Sequence, residues 1–283
     1  MGSASPADLL RYPVMRLSNI AMYTGQPPLV AATDALWAYI GDRLRKAGVA
    51  DVPETLEKGI THDEAWVQPG LLLAQTCGFP YVKYLRGRVQ LVATPVYDLP
   101  GCDGPSMRSF IIVRKDSAIE ALADLRGLTA AINDPGSNSG SNLFRAAIAP
   151  LAKGSSFFGR VIETGGHLRS IDAVTDGRAD VAAIDCVTFG NANRFDPHRV
   201  AGVRILAETV SGPGLPFITG METSAEELTL LRQILSGIAS EPTLADVRDT
   251  LSLRRFEVLG DADYEALAEL ERQAITLGYP VIA

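Results

Sequence analysis

The sequence predicts a two-lobed α/β protein, and three observations carry that expectation. The chain has 283 residues, more than the ~150 that one compact domain commonly takes. Strand-like apolar runs alternate with amphipathic helical spacing almost throughout, the pattern of α/β layers around largely parallel sheets. Two stretches rich in proline and glycine, 94–108 and 208–220, break the alternation and bracket a complete α/β unit. The expected lobes are therefore 108–207, continuous, and 14–107 plus 208–283, split around it.

Each element has a local reason. Residues 17–22 read as a strand that ends in the loop Tyr23-Thr24-Gly25-Gln26-Pro27-Pro28. Leu29, Thr33, Leu36, Trp37, Ile40 and Leu44 then recur at i, i+3, i+4 steps, giving a helix with one buried face that stops at Gly48. Apolar runs at 71–74 and 89–94 follow, with the short segment 81–86 between them. After the loop 99–105 come a strand at 110–114, a helix ending near Gly127 and a strand at 128–132. The unit continues as helix 142–152, strand 160–163, helix 168–175 and strand 180–184. Beyond the second crossing, 225–238, 244–251 and 264–277 show amphipathic helical spacing.

Composition narrows the function classes. With 47% apolar residues the chain can bury real cores, which excludes a disordered polypeptide. Its net charge is −7 and no lysine- and arginine-rich block occurs, which argues against nucleic acid or an anionic membrane as partner. Any bound anion must be held by local geometry. No run approaches the ~18 apolar residues of a membrane span, so no membrane insertion is expected. Residues 1–23 lack the basic head and apolar stretch of a signal peptide.

Common catalytic motifs are missing: no GxSxG elbow, P-loop, HExxH or GxGxxG occurs, and His62, His167 and His198 lack metal-ligand spacing. No catalytic residue, metal or cofactor is expected. The most informative segment is Asn133-Asp-Pro-Gly-Ser-Asn-Ser-Gly-Ser-Asn142, between a buried strand and an amphipathic helix. Free N–H groups, hydroxyls and a positive dipole end at such a helix start suit an anion without any basic side chain. A polar turn that caps its own helix through Ser137 or Ser139 reads equally well. His167, after Gly165-Gly166, stands either as an anion donor or as a structural neighbour of a helix start. Asp185 ends the run ADVAAID at a strand tip, where ligands of open α/β sheets bind. It too has an alternative, as cap of the next helix; in the functional reading it favours a ligand that also carries an ammonium group. Tyr23 and Tyr81 follow strands of the other lobe and suit the wall of a closing cleft.

In these residues the chain resembles the phosphate/phosphite/phosphonate-type substrate-binding proteins of ABC transporters. The likeness lies in RSFIIVRKDS (108–117), NDPGSNSG (133–140), GGHLRSIDAVTDGRADVAAID (165–185) and LPFITG (215–220); LLLAQTCGFPY (71–81) and ATPVYDLPGCDGP (93–105) look like a subgroup. The resemblance implies a type II periplasmic-binding-protein fold with two crossover strands and a ligand trapped in the cleft by hinge closure. It implies that Ser137, Asn138 and Ser139 hold the oxygens of a small oxyanion, phosphonate- or phosphate-like; Ser141, at the same helix start, is a further candidate donor. His167 and Tyr23 match the family's histidine and early cleft tyrosine, and Asp185 matches more loosely. The implied partners are a small anionic or zwitterionic ligand and an ABC transporter permease.

Two departures stand out. Where the family has a tyrosine before the first crossing, this chain has Ser106-Met107-Arg108, which leaves Arg108 as a counter-charge in its place. The resemblance implies the periplasm, whereas the missing leader leaves the cytoplasm open. Cys77 and Cys102, in subgroup-like strand-end loops, put a disulfide between them forward as a hypothesis. The alternative functions are a cytoplasmic enzyme on the same fold, of menaquinone-pathway or prephenate-dehydratase type, and a ligand sensor. Against the first, no acid/base pair is evident beyond Asp185 and His167.

Overall fold

The computed structural model describes residues 15–283. The expected lobe boundary at residue 14, and the N-terminal segment before it, lie outside the described residues. The strands in chain order are β1 (Leu17–Asn19), β2 (Leu71–Gln75), β3 (Val89–Tyr97), β4 (Cys102–Asp103), β5 (Ser106–Met107), β6 (Ser109–Arg114), β7 (Thr129–Ile132), β8 (Arg160–Glu163), β9 (Val181–Asp185), β10 (Val203–Glu208), β11 (Gly212–Pro213), β12 (Phe217–Gly220) and β13 (Leu253–Glu257). The α-helices are α1 (Pro27–Lys46), α2 (His62–Trp66), α3 (Gly78–Pro80), α4 (Leu143–Ala152), α5 (His167–Thr175), α6 (Cys186–Phe195), α7 (Pro197–Val200), α8 (Ala225–Gly237), α9 (Ala245–Leu251) and α10 (Asp261–Thr276).

Two five-stranded sheets carry the two lobes, in the orders β1-β2-β12-β3-β13 and β10-β6-β9-β7-β8. Both are mixed, where largely parallel sheets were expected. β1 runs parallel to β2, and β7 to β8 and β9, while β6 and β12 run antiparallel to their neighbours. The reason is the double crossing. A strand entering from the other lobe starts at the end of the sheet where its neighbours finish. Ser109, the first residue of β6, accordingly pairs with Asp185, the last of β9, and Phe217 opens β12 opposite Gln75, the last of β2. The crossings are themselves ordered, as the small sheet β11-β5-β4.

Alternating apolar and small residues bury both faces of each sheet. Trp37, Ile40 and Leu44 of α1 pack with Leu72, Val92 and Phe217 and with Leu231 and Leu235 of α8. On the second sheet, Ile112, Ala182 and Ile184 meet α5 and α6 on one face, and Ile111, Val113 and Val181 meet Phe144 and Ile148 of α4 on the other. α10 touches both lobes. Tyr264 and Leu267 join Trp66, Leu71 and Phe79, while Ala274, with Tyr279 just beyond the helix, joins Phe144 and Phe157. The backbone amides of Phe157 and Phe158 both donate to the Ala283 carbonyl, at 2.6 and 2.9 Å.

The helix expected to end near Gly127 is only the 3-10 turn Leu122–Leu125, because the Asp124 carboxylate takes the N–H groups of Glu120 and Ala121 and turns the chain there. β10 and β13 were not anticipated, and the short helix expected after Asp185 is α6, ten residues long. Among the described residues no helix is long and apolar enough to cross a membrane.

Candidate functional site

The loops after β1, β2, β7, β8 and β9 converge between the sheets on a cavity of about 850 Å3. This is the position that open α/β sheets give their ligands, beyond the carboxyl ends of the strands. Tyr23 and Gln26 line it from the first lobe; Asn133, Ser137, His167 and Asn191 line it from the second.

The serine-rich segment forms a π-helix, Asn138–Asn142, that runs into α4. Ser137 is its N-cap, and the Ser137 hydroxyl accepts the Gly140 N–H at 3.1 Å, so the capping reading is realised. The Asn142 N–H donates to the Ser137 carbonyl at 3.0 Å. In an α-helix the Ser141 N–H would have made that bond. The wider turn therefore leaves the amides of Asn138, Ser139, Gly140 and Ser141 outside the helical ladder, and Gly140's is taken up by the cap. These amides add to the positive end of α4. Gly140 is required by closeness: a Cβ there would stand 1.7 Å from Asn133 Oδ1 and 3.2 Å from His167 Cε1.

His167 opens α5, and its Nε2 lies 2.8 Å from the Ser139 hydroxyl, while Nδ1 is buried without a protein partner. Desolvation pushes its pKa down to about 4, so the imidazole is neutral at pH 7 and offers one N–H. Ser139 is fixed from behind, since its carbonyl accepts the Ser109 hydroxyl at 2.9 Å. Ser109, the first residue of the crossing strand β6, thus holds the serine-rich loop in place.

Asp185 is 2% exposed. Its Oδ1 accepts the Thr188 N–H at 2.9 Å, capping α6, and its Oδ2 accepts the Tyr23 hydroxyl at 3.1 Å. Burial raises its carboxyl to about 6 against these two donors. Tyr23 is also raised, by burial first and the Asp185 charge second. It meets Tyr97 edge to face at 5.5 Å.

Of the residues singled out in the sequence, Tyr23, Ser137 and His167 line the cavity, and Ser139 reaches it through its bond to His167. Asp185 sits behind Tyr23. The Asn138 carboxamide accepts from Asn142 at 3.2 Å, and the Ser141 hydroxyl donates to the Asp134 carbonyl at 2.6 Å; both side chains support the loop from within. Tyr81 and Arg108 are engaged elsewhere. Tyr81 donates to Asp261 and packs on Tyr264, and Arg108 pairs with Glu208 at 2.6 Å. The three cysteines are free thiols, and Cys102 lies 3.6 Å from Cys186 rather than beside Cys77.

Gln26 and Asn191 were not singled out. Gln26 stands in the strand-end loop that the sequence marked as a cleft wall. Asn191 is an interior residue of α6, and nothing in the linear pattern set it apart from a polar position on a surface helix.

Residues 26–264 match the model of the family described as "ABC transporter, phosphonate, periplasmic substrate-binding protein". No curated protein matches the chain. A binding-protein component of an ABC phosphonate transporter from Pseudomonas aeruginosa superposes with a TM-score of 0.75 at 18% identity, covering 93% of this chain and 87% of that one. PhnD1 from Prochlorococcus marinus, solved in complex with methylphosphonate, gives 0.71 at 14% identity, covering 92% and 98%. XAC2383 from Xanthomonas citri, solved with chloride, gives 0.70 at 17% identity, covering 93% and 98%.

Proposed function

Since the chain belongs to the phosphonate-binding family of periplasmic substrate-binding proteins of ABC transporters, which carry solutes and are not enzymes, we propose that its own solute is a small phosphonate-type oxyanion held at the Ser137–His167 wall of the cleft. The observation that carries this reading is the π-helical start at Asn138–Asn142. It frees backbone N–H groups at a helix's positive end, beside a neutral histidine bonded to Ser139. Neutral donors of this kind bind an anion without a strong positive field. That suits a chain whose net charge is −7.

In this reading Ser137, Ser139 and His167 supply donors from the second lobe, with Asn138 and Ser141 shaping the loop. Tyr23, bonded to Asp185, closes the opposite wall. The lobes, 14–107 plus 208–283 and 108–207, move about the two crossings, and α10 bridges them. Closure over the ligand is the state presented to a permease in the periplasm. Arg108 and Tyr81 are left out of the proposed ligand set, because both side chains are committed to other partners.

Calorimetric titration with methylphosphonate, phosphite, phosphate and sulfate tests the proposal. Binding of at least one is expected, with a loss of about tenfold or more in the double variant Ser137→Ala/Ser139→Ala. Unchanged affinity in a folded double variant would place the anion elsewhere.

A further inference from the structure

We propose that the cavity carries a second polar subsite, formed by Gln26 and Asn191, that reads a neutral hydroxyl group on the organic part of the ligand. This rests on the reading above. With the anionic end at Ser137 and His167, the subsite takes what the phosphorus atom carries.

Gln26 is 7% exposed and Asn191 2%, and both line the cavity. Gln26 Nε2 and Asn191 Oδ1 are buried and have no protein partner. Asn133 Oδ1 and His167 Nδ1, at the anion end of the same cavity, are orphaned as well. Buried carboxamides are nearly always hydrogen-bonded, so the orphans of Gln26 and Asn191, away from that end, point to a further group that enters it. Neither serves the fold in a way that explains its burial. Gln26 occupies the N-cap position of α1, yet its side chain makes no cap bond. Asn191 lies within α6, two turns beyond the cap made by Asp185.

The backbone explains why side chains are needed on this wall. Pro27 and Pro28 begin α1 and have no N–H to offer. The Leu29 N–H already donates to the Gln26 carbonyl at 3.0 Å. The start of α1 therefore cannot act as a second anion site, unlike the start of α4. What it offers is a neutral carboxamide.

Each carboxamide presents an acceptor oxygen and a donor NH2, whichever way it is turned. A hydroxyl, donor and acceptor at once, can satisfy both. An ammonium group donates only, and its natural partner here is out of reach: Asp185 is 2% exposed, is bonded to Tyr23 and does not line the cavity. Size agrees, since about 850 Å3 falls in the range of pockets for whole organic ligands, far more than a bare phosphonate head fills. The ligand class is therefore a hydroxyalkylphosphonate.

The test is calorimetric titration of the full chain with ethylphosphonate, 2-hydroxyethylphosphonate and 2-aminoethylphosphonate. The hydroxyl compound is expected to bind at least about tenfold more tightly than its ethyl analogue. That ratio should collapse toward one in Gln26→Met and in Asn191→Leu. Equal affinities in the wild type, a ratio that survives in both variants, or tighter binding of the amino compound would each overturn the subsite. Since the first and third of these use wild-type protein alone, a variant that fails to fold does not protect the proposal. Binding of all three without preference overturns the subsite and leaves the anion site standing. If none binds, the anion site falls and the subsite with it.

Discussion

The Tyr23 hydroxyl, on the loop after β1, donates to Asp185 Oδ2 at 3.1 Å and so ties the first lobe to the last residue of the second lobe's β9. The bond lies behind the cavity wall, and Tyr23 is held there by Tyr97 at 5.5 Å. It couples the state of a buried carboxylate to the contact between the lobes.

Tyr23→Phe removes that donor and leaves Asp185 with only its cap bond. Hydrogen bonds to charged groups contribute about 1.5–3 kcal/mol, so a loss of stability of that order is expected in urea unfolding. The same variant should raise the Asp185 carboxyl further, because the tyrosine bond is one of the contacts that lower it.

Asp185 also gives the protein a pH signature. Its folded carboxyl is raised to about 6 from an ordinary 3.8. Between these values the folded protein keeps a proton that the unfolded chain has released. The resulting stabilisation is full at the acid end and lost as pH rises through 6. Relative to wild type, Asp185→Asn should therefore gain on the order of 2–3 kcal/mol between pH 4 and 7. His167 works in the opposite sense: depressed to about 4 from 6.5, it makes stability fall as pH drops through that window. With Asp185 neutralised, that rise with pH should appear uncompensated. Unfolding curves at pH 4.5 and 7 for both proteins decide it, and parallel profiles would contradict the assignment.

Gly25 marks where the lobes touch. A Cβ there would stand 2.8 Å from Leu168 Cδ1. Gly25→Ala should be mild, since that methyl can rotate away. Gly25→Val should wedge the contact and reduce the population of closed protein. A drop of about three- to tenfold in methylphosphonate affinity, with little change in melting temperature, is the expected outcome; an unchanged affinity would remove Gly25 from the closure surface.

Oxidation should join Cys102 to Cys186 and leave Cys77 as a thiol. Cys102 lies in β4 opposite Met107, and the Cys186 N–H donates to the carbonyl of the next residue, Arg108, at 3.2 Å. The sulfurs are 3.6 Å apart. Oxidised glutathione would take up the two electrons and two protons as the S–S bond forms. Peptide mapping after alkylation identifies the pair; a Cys77 disulfide would be the contrary result.

The split of the chain into two α/β units, the strand-end loops and the serine-rich helix start were legible in the sequence. Each is set by local chemistry: apolar period, proline and glycine punctuation, and helix-capping residues. The direction of β6 and β12 was not legible, because it depends on which lobe the chain arrives from. Nor was the commitment of Tyr81 to Asp261 or of Arg108 to Glu208, partners 180 and 100 residues away. The same limit hid Gln26 and Asn191, whose meaning lies in each being buried on the cavity wall with a polar atom unpartnered. Sequence by itself determined that small and polar residues gather at a helix start after a buried strand. Only the tertiary structure decided which side chains face the cavity, since burial and pairing belong to contacts between residues far apart in the chain.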